Sequence, residues 1–512
     1  MTTSNPVLTD TNDVIAPVAR PVSRLSLRFS ERKLLLAAVD TVLLNNVLLI
    51  TILMRADLTS SLKAFSYRAT WGVSLLITWF VFAFLFECYN LFESASIRRS
   101  LPRIGSAVFM TSVLYLMIPY VTPSLPSSRL EAVTFPVLLL VSLVAWRIIY
   151  AKVFVRPDFQ QRALIVGAGR VGRTLTHTIR ELSSDNGKTY ENVGYDILGF
   201  VTDASAVQEE IIEHMPFLGS GRDLVSLVRQ LRPDELILDD ELLGAMIHSE
   251  PLSGQPQRRR FDRVHSELFE AILECNEMGI SITTAAMFYE RLTGRVPVEH
   301  IGRALNVVLP FDQSATQRFY LMLRRMFDIY ISLIGCTLLV VLIPFVWLVN
   351  RFTSPGPLFY RQERAGKGGH RFWVIKFRSM VVDAEKHVGT VWAIENDPRI
   401  TRVGRILRKM RLDEFPQFWN ILKGEMSLIG PRPERPFFVN QLALQFPFYR
   451  ARHAVKPGLT GWAQVKYRYG ASVEDALMKL QYDLYYIKHQ GISLDFEILV
   501  KTISVVLGLK GR

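Results

Sequence analysis

Five apolar runs decide what this chain can fold into. Four follow a polar N-terminal tail, near residues 34–54, 71–92, 104–121 and 132–151, and a fifth covers 324–352. Each approaches or exceeds the ~20 residues that carry a helix across a bilayer core. Inside a bilayer, backbone polar groups must find partners within the segment itself, so runs of this length are expected to be helices. The chain is 49% hydrophobic and carries a formal net charge of +13. Its Arg and Lys clusters lie between the apolar runs, which favours anionic lipid headgroups or phosphate-bearing substrates as partners. No nucleic-acid motif accompanies the charge, so nucleic acid is not expected as a partner. Cys88, Cys275 and Cys336 are scattered, with neither metal-ligand spacing nor a disulfide framework.

The flanks orient the first four runs. Arg28, Arg32 and Lys33 precede the first, Arg98, Arg99 and Arg103 separate the second from the third, and Lys152 and Arg156 follow the fourth. Positive flanks stay inside, so residues 31–156 read as four transmembrane helices that begin and end in the cytoplasm. Residues 1–30 have the Pro-, Ser- and Thr-dotted composition of a disordered cytoplasmic tail and lack the features of a secretory signal. Asp40, Asn45 and Asn46 fall inside the first span, where helix-to-helix hydrogen bonding is expected rather than a transport site.

Residues 160–290 read as a soluble α/β domain. "RALIVGAGRVGRTLTHTI" is a strand, a glycine turn and a helix, and "VGYDILGFVTD", "PDELILDD" and "GISITT" supply further strands. Helical patterns cover 222–231 and 265–278, and "LSGQPQRRRFDR", 252–263, reads as an exposed basic loop. Gly167, Gly169 and Gly172 form GxGxxG between strand and helix, the context of a nucleotide or dinucleotide site, although the same turn also serves Rossmann-like packing alone. An acidic partner at the end of the second strand is not clearly placed, Asp203 being the nearest candidate. Residues 291–317 are expected to be a linker.

The fifth run poses a topological conflict. A simple crossing would carry everything after it out of the cytoplasm, yet Arg324 and Arg325 precede it and Arg351, Arg361, Arg364 and Lys367 follow. Pro344 inside the run removes a backbone hydrogen bond. A re-entrant helix over 324–352, entering and leaving on one face, satisfies both observations.

After it, "RLDEFPQFWNILKGEMSLIGPRPERP" (411–436) sets Asp413 and Glu414 side by side before Pro416. Proline is tolerated in the first turn of a helix, so the helix is expected to begin near Asp413, its dipole keeping both carboxylates ionised. An ionised carboxylate can act as a nucleophile or as a hard-metal ligand, although acidic residues at a helix start are often no more than caps. "WVIKFRSMVVDAE" (373–385) reads as a strand delivering Lys376 and Arg378, then a turn with Asp383. Arg432 is mounted between two prolines, and "VKPGLTGWAQV" (455–465) is a Gly- and Pro-rich loop carrying Lys456 and Trp462. Cations, acids and a loop beside a membrane helix are what phosphoryl transfer to a lipid needs.

From about residue 318 to 512 the chain resembles the bacterial sugar transferases, the monotopic phosphoglycosyl transferases. "KFRSM", "LDEFPQFWNILKGEMSLIGPRP" and "KPGLTGWAQV" match that family's motifs in order and spacing. The preceding spans and Rossmann-like module resemble its larger members, the polyprenyl glycosylphosphotransferases of exopolysaccharide and O-antigen assembly. One departure is Ile343, where the family often has Ser before the breaking proline. The resemblance implies a C-terminal α/β catalytic domain over 318–512, anchored by the re-entrant helix. It implies transfer of hexose 1-phosphate from a UDP-hexose to undecaprenyl phosphate, with release of UMP. Asp413 would be the nucleophile, and Glu414 would help hold Mg²⁺ or Mn²⁺. Arg432 would bind phosphate, Lys376, Arg378 and Lys456 would neutralise substrate charge, and Asp383 would support the metal. Glucose and galactose are both compatible, and the oligomeric state, a homodimer included, is left open. A membrane-anchored NAD-dependent dehydratase is the competing enzyme reading, but no Tyr-x-x-x-Lys follows residue 160. A non-catalytic polysaccharide-assembly scaffold leaves the LDE and GPRP motifs without a purpose.

Overall fold

A computed structural model describes residues 29–54, 69–117, 129–154, 160–167, 195–202, 215–240, 256–298, 315–382, 397–467 and 472–506, with isolated positions between them. The first four apolar runs form helices Phe29–Leu53, Ala69–Leu85, Ile97–Met117 and Arg129–Ile149. Three have the length and composition to cross a membrane, whereas the second, expected over 71–92, is a shorter helix of 17 residues. The third starts seven residues earlier than expected, so Arg98, Arg99 and Arg103 lie on its first turns.

Asp40 is fully buried between these helices. Arg147 donates to both of its carboxylate oxygens at 3.0 and 2.8 Å, and Tyr89 donates to one of them at 2.8 Å. Each polar atom of the carboxylate therefore has a partner on another segment, the arrangement that makes a buried charge tolerable. Asn45 donates to Thr41 O of its own helix at 2.8 Å, and Asn46 is exposed.

The middle domain is built on six strands in the order β3-β4-β2-β1-β5-β6. They are β1 Gln161–Val166, β2 Tyr195–Val201, β3 Ile211–Ile212, β4 Met215–Gly219, β5 Glu235–Leu238 and β6 Ser281–Thr284. All neighbours are parallel except β3 and β4. Alternate residues of β1 go to opposite faces: Ala163 and Ile165 pack with Phe288, and Leu164 and Val166 with Leu268 and Ile272. Burial on both faces is why these strands read as continuous apolar runs. The expected basic loop at 252–263 is corrected in part. Helix Pro256–Glu277 runs through most of it, because the apolar stripe of 265–278 extends a helix already begun at Pro256.

The fifth run lies in one helix of 39 residues, Ala315–Thr353, which begins nine residues before the expected 324 and continues through Pro344. Its two ends touch the same C-terminal domain. Tyr320 Oη donates to Asp495 at 2.6 Å near one end, Asp328 accepts from Leu428 N at 2.9 Å two turns further on, and Ser354, just past the other end, accepts from the Arg378 guanidinium. Between them Gly335 lies under the Phe418 ring, a fit that only glycine allows, since a Cβ would sit 2.4 Å from the ring.

The C-terminal domain then runs through the antiparallel pair β7 Phe359–Ala365 and β8 Arg371–Phe377, helices Arg402–Lys409 and Gln417–Lys423, and the parallel pair β9 Ser427–Ile429 and β10 Gly458–Thr460. Helices Pro436–Gln445, Trp462–Lys466, Val473–His489 and Ile492–Val506 complete it. Val296 and Val298, inside the expected linker 291–317, are buried in this domain's core beside Leu480 and Leu484.

Candidate active site

Helix Arg402–Lys409 ends and the chain reverses at Arg411, which adopts the left-handed conformation at φ 57°. For a residue with a side chain that costs about 1–2 kcal/mol, and it throws Leu412–Glu414 into a 3₁₀ turn. The expectation that Asp413 starts an α-helix is corrected here. The helix is Gln417–Lys423, with Pro416 as its N-cap, and the acidic pair sits one turn earlier. Side-chain cations, rather than a helix dipole, hold the charge.

Asp413 and Glu414 are both buried, at 8% exposure each, yet their surroundings differ. Arg432 donates to Glu414 Oε1, Lys376 Nζ lies 3.6 Å from the same oxygen, and Arg411 reaches Oε2 at 4.0 Å. Burial alone would raise the Glu414 pKa, but Arg432 and Lys376 together hold it well below the usual carboxylate range. Asp413 forms no hydrogen bond or ion pair among the described residues; burial and the adjacent Glu414 raise its pKa, opposed by Lys376, Arg408 and Arg432. Lys376 is pushed down to about 8 by burial, against the pull of Glu414. One carboxylate is thus held as an anion by its neighbours, while the other has no side-chain hydrogen bond among the described residues.

The GPRP turn and the KPGLTG loop prove to be one structure. β9 leads into Gly430, whose N–H donates to Thr460 O at 2.8 Å, and Gly458 N donates to Pro431 O at 2.9 Å. Gly430 has φ 158°, and a Cβ there would sit 2.5 Å from Lys456 O. The close backbone approach explains the glycines; Pro431 and Pro433 restrict φ on both sides of Arg432. Behind the turn, buried Arg452 donates to Arg432 O at 3.0 Å, to Asp483 at 2.7 Å and to Tyr449 Oη at 2.9 Å. A shallow, open cleft adjoins Arg432, lined by Gly366, Pro431, Pro433, Glu434, His453 and Pro457 among others.

Of the residues singled out in the sequence, Asp413, Glu414, Lys376 and Arg432 converge. Arg378 does not join them. Its guanidinium donates to Pro357 O at 2.7 Å and to Ser354 O and Oγ, tying β8 to the end of the long helix. Lys456 turns its side chain toward Arg325 and Asp328, where burial lowers its pKa. Gly167 needs its glycine for packing: at φ 106° a Cβ would lie 2.6 Å from Asp239 Cβ. Asp383, Gly169, Gly172 and Asp203 lie outside the described residues. Sequence reasoning missed Arg411, Arg408 and Arg452. Arg402, Arg405, Arg408 and Arg411 recur at three-residue steps, a helical period that was available as a signal.

Among the described residues no group of three or more His, Cys, Asp or Glu side chains could cage a metal. The adjacent carboxylates nevertheless suit Mg²⁺, which commonly takes one or two protein carboxylates and completes its shell with substrate phosphates and water.

A bacterial sugar transferase profile matches residues 319–509, the segment that contains the whole cluster. The chain is 38% identical over 191 residues to exopolysaccharide production protein PSS of Rhizobium leguminosarum bv. phaseoli, covering 36% of this chain and 94% of that protein. The chain belongs to the bacterial sugar transferase family. Another relative, a UDP-N-acetylgalactosamine-undecaprenyl-phosphate N-acetylgalactosaminephosphotransferase of Aeromonas hydrophila, is 39% identical over 272 residues, 53% of this sugar transferase and 62% of its own length. A UDP-glucose:undecaprenyl-phosphate glucose-1-phosphate transferase of Xanthomonas campestris pv. campestris is 46% identical over 162 residues, 31% of this chain and 34% of that one. The sugar transferase thus spans less than two thirds of either of these two relatives. A CoA-binding domain profile also matches residues 84–238, which run from the end of the second helix to β5.

Proposed function

We propose that this protein transfers a sugar 1-phosphate from a UDP-hexose to undecaprenyl phosphate, the initiating step of exopolysaccharide or O-antigen synthesis. The observation that carries this reading is the division of labour between adjacent carboxylates: Glu414 is held anionic by Arg432 and Lys376, while buried Asp413 has no hydrogen-bonding partner among the described residues. Family membership and the names of the relatives support the substrates. An Asp413 oxygen attacks the β-phosphorus of the UDP-sugar, the bond to the α-phosphate oxygen breaks, and UMP leaves with that electron pair. A phosphate oxygen of undecaprenyl phosphate then displaces Asp413, restoring the carboxylate and forming the lipid diphosphate sugar. Arg432 and Lys376 present positive charge to the diphosphate, where it stabilises the charge spread over the transferring group. Glu414 and, on the sequence reading, Asp383 would hold Mg²⁺, which would supply neutralisation of the diphosphate charge when bound.

In the same reading the four N-terminal helices span the bacterial inner membrane and helix Ala315–Thr353 is re-entrant, so residues 354–512 lie at the cytoplasmic face. Contacts of Asp328 and Ser354 with one domain support the return of the chain to the face it entered from. The test is UMP release from a panel of UDP-sugars by full-length protein in membranes, with undecaprenyl phosphate present. Lipid-dependent UMP release from one of them is expected; none from any sugar overturns the reading.

A further inference from the structure

The Rhizobium relative is matched over 94% of its own length by 36% of this chain, and the family profile covers residues 319–509. The domains that precede residue 319 lie outside that profile, so they must be connected to the site if they act on it. The connection converges on Trp462. Its indole N–H donates to Gly294 O at 2.9 Å, and Gly294 closes the middle-domain helix Ala285–Thr293 in the left-handed conformation at φ 67°. A Cβ at Gly294 would meet the indole at 3.3 Å, so the helix end sits directly on the ring. Nearby, buried Glu290 pairs with Lys488 at 2.9 Å and His489 at 2.8 Å, and Val296 N donates to Gln481 O at 3.1 Å.

The membrane helices reach the same ring by another route. The Lys466 and Lys501 ammonium groups lie 4.7 and 5.3 Å from its centroid. Lys501 pairs at 3.4 Å with Glu87, just beyond helix Ala69–Leu85, and Phe496 packs edge-on against Phe84 of that helix. On the other side, Trp462 follows Gly461, where a Cβ would lie 2.1 Å from Gly430 O. Backbone contact that tight passes a displacement of Trp462 to the turn that mounts Arg432.

We propose that Trp462 is a positioning residue through which the middle domain and the membrane helices set the placement of Arg432. This rests on the transferase reading for its kinetic test. Trp462→Phe keeps a ring and removes the donor to Gly294; Glu290→Gln loosens the same docking without touching the indole. In full-length enzyme in membranes, each is expected to lower kcat on the order of tenfold, as for a misplaced catalytic group, with the KM for the UDP-sugar within about twofold. Made in an Arg432→Lys background, each should lower kcat by less than about twofold, because residues acting through one another are non-additive. Equal fold losses in both backgrounds, or no loss in either, overturn the proposal. Amide hydrogen exchange at Gly430 needs no turnover and separates this idea from the activity itself. Faster exchange there in Trp462→Phe is expected, and unchanged protection overturns the proposal even if the wild type releases no UMP.

Discussion

Arg432 donates directly to Glu414, and it does so across the turn in which Asp413 stands without a hydrogen bond among the described residues. The pairing separates two carboxylates that are chemically alike. Glu414 has its cations in place before any substrate arrives, whereas Asp413 feels them at longer range and keeps an accessible lone pair.

Asp413→Asn removes the attacking carboxylate of the proposed mechanism while keeping the volume of the side chain. UMP release is expected to fall by at least about 10³-fold, and no sugar-phosphate adduct should be trapped on the protein. The variant should still purify with membranes and melt near the wild type. Turnover within tenfold of wild type would exclude Asp413 as the attacking group.

The pH profile of kcat/KM should have two limbs with identifiable owners. Asp413 must be ionised to attack, so activity falls as pH drops through its pKa, which burial and Glu414 raise above the ordinary aspartate value. Lys376 opposes that rise, so Lys376→Met should move the acid limb upward. Lys376 is charged below about 8 and loses its proton as pH rises through that value, weakening its hold on phosphate. Lys376→Arg keeps the charge throughout, and the alkaline limb should vanish in that variant. A profile unchanged by both substitutions would remove Lys376 from the site.

Chelation with confirmed removal of divalent ions should abolish UMP release, and Mg²⁺ or Mn²⁺ should restore it. Glu414→Gln removes the carboxylate charge that Arg432, Lys376 and Arg411 face and, on the proposed reading, one ligand of the metal. The Mg²⁺ concentration for half-maximal activity is expected to rise roughly 10-fold or more. An unchanged Mg²⁺ titration in this variant would rule out Glu414 as a ligand.

Arg378 should behave as a structural tie rather than a phosphate contact. Arg378→Ala frees backbone carbonyls at the end of the long helix and is expected to cost about 2–3 kcal/mol through lost charge-assisted hydrogen bonds, lowering the melting temperature. The KM for the UDP-sugar should stay within about twofold in whatever fraction remains folded. A tenfold rise in KM at unchanged stability would return Arg378 to the substrate site.

Membrane topology can be read with cysteines at Arg318 and Lys367, both exposed and on either side of the apolar run 324–352. In a background lacking Cys88, Cys275 and Cys336, both positions should resist an impermeant thiol reagent in intact cells and label after the inner membrane is opened. Labelling of position 367 from the periplasm in intact cells would demonstrate a true crossing.

The sequence by itself determined the apolar helices, four of the six strands of the middle sheet (β1, β2, β5 and β6) and the carboxylate pair with its GPRP turn. These are written in local periodicity and in residues whose backbone limits are intrinsic. Asp413 and Glu414 are equivalent in such a reading, and so are Lys376, Arg378 and Lys456. Tertiary structure decided among them. Lys376 and Arg378 lie two residues apart, yet one meets Glu414 and the other meets the end of helix Ala315–Thr353. Arg452 gave no motif, and it became the support of Arg432 only because Asp483 and Tyr449 pack beside it. Trp462 read as part of a glycine-rich loop, and its contact with Gly294 exists only once two domains dock. Pairings of this kind depend on the relative placement of elements far apart in the chain, and burial then makes each pairing strong by excluding water; neither the placement nor the exclusion has a local signature.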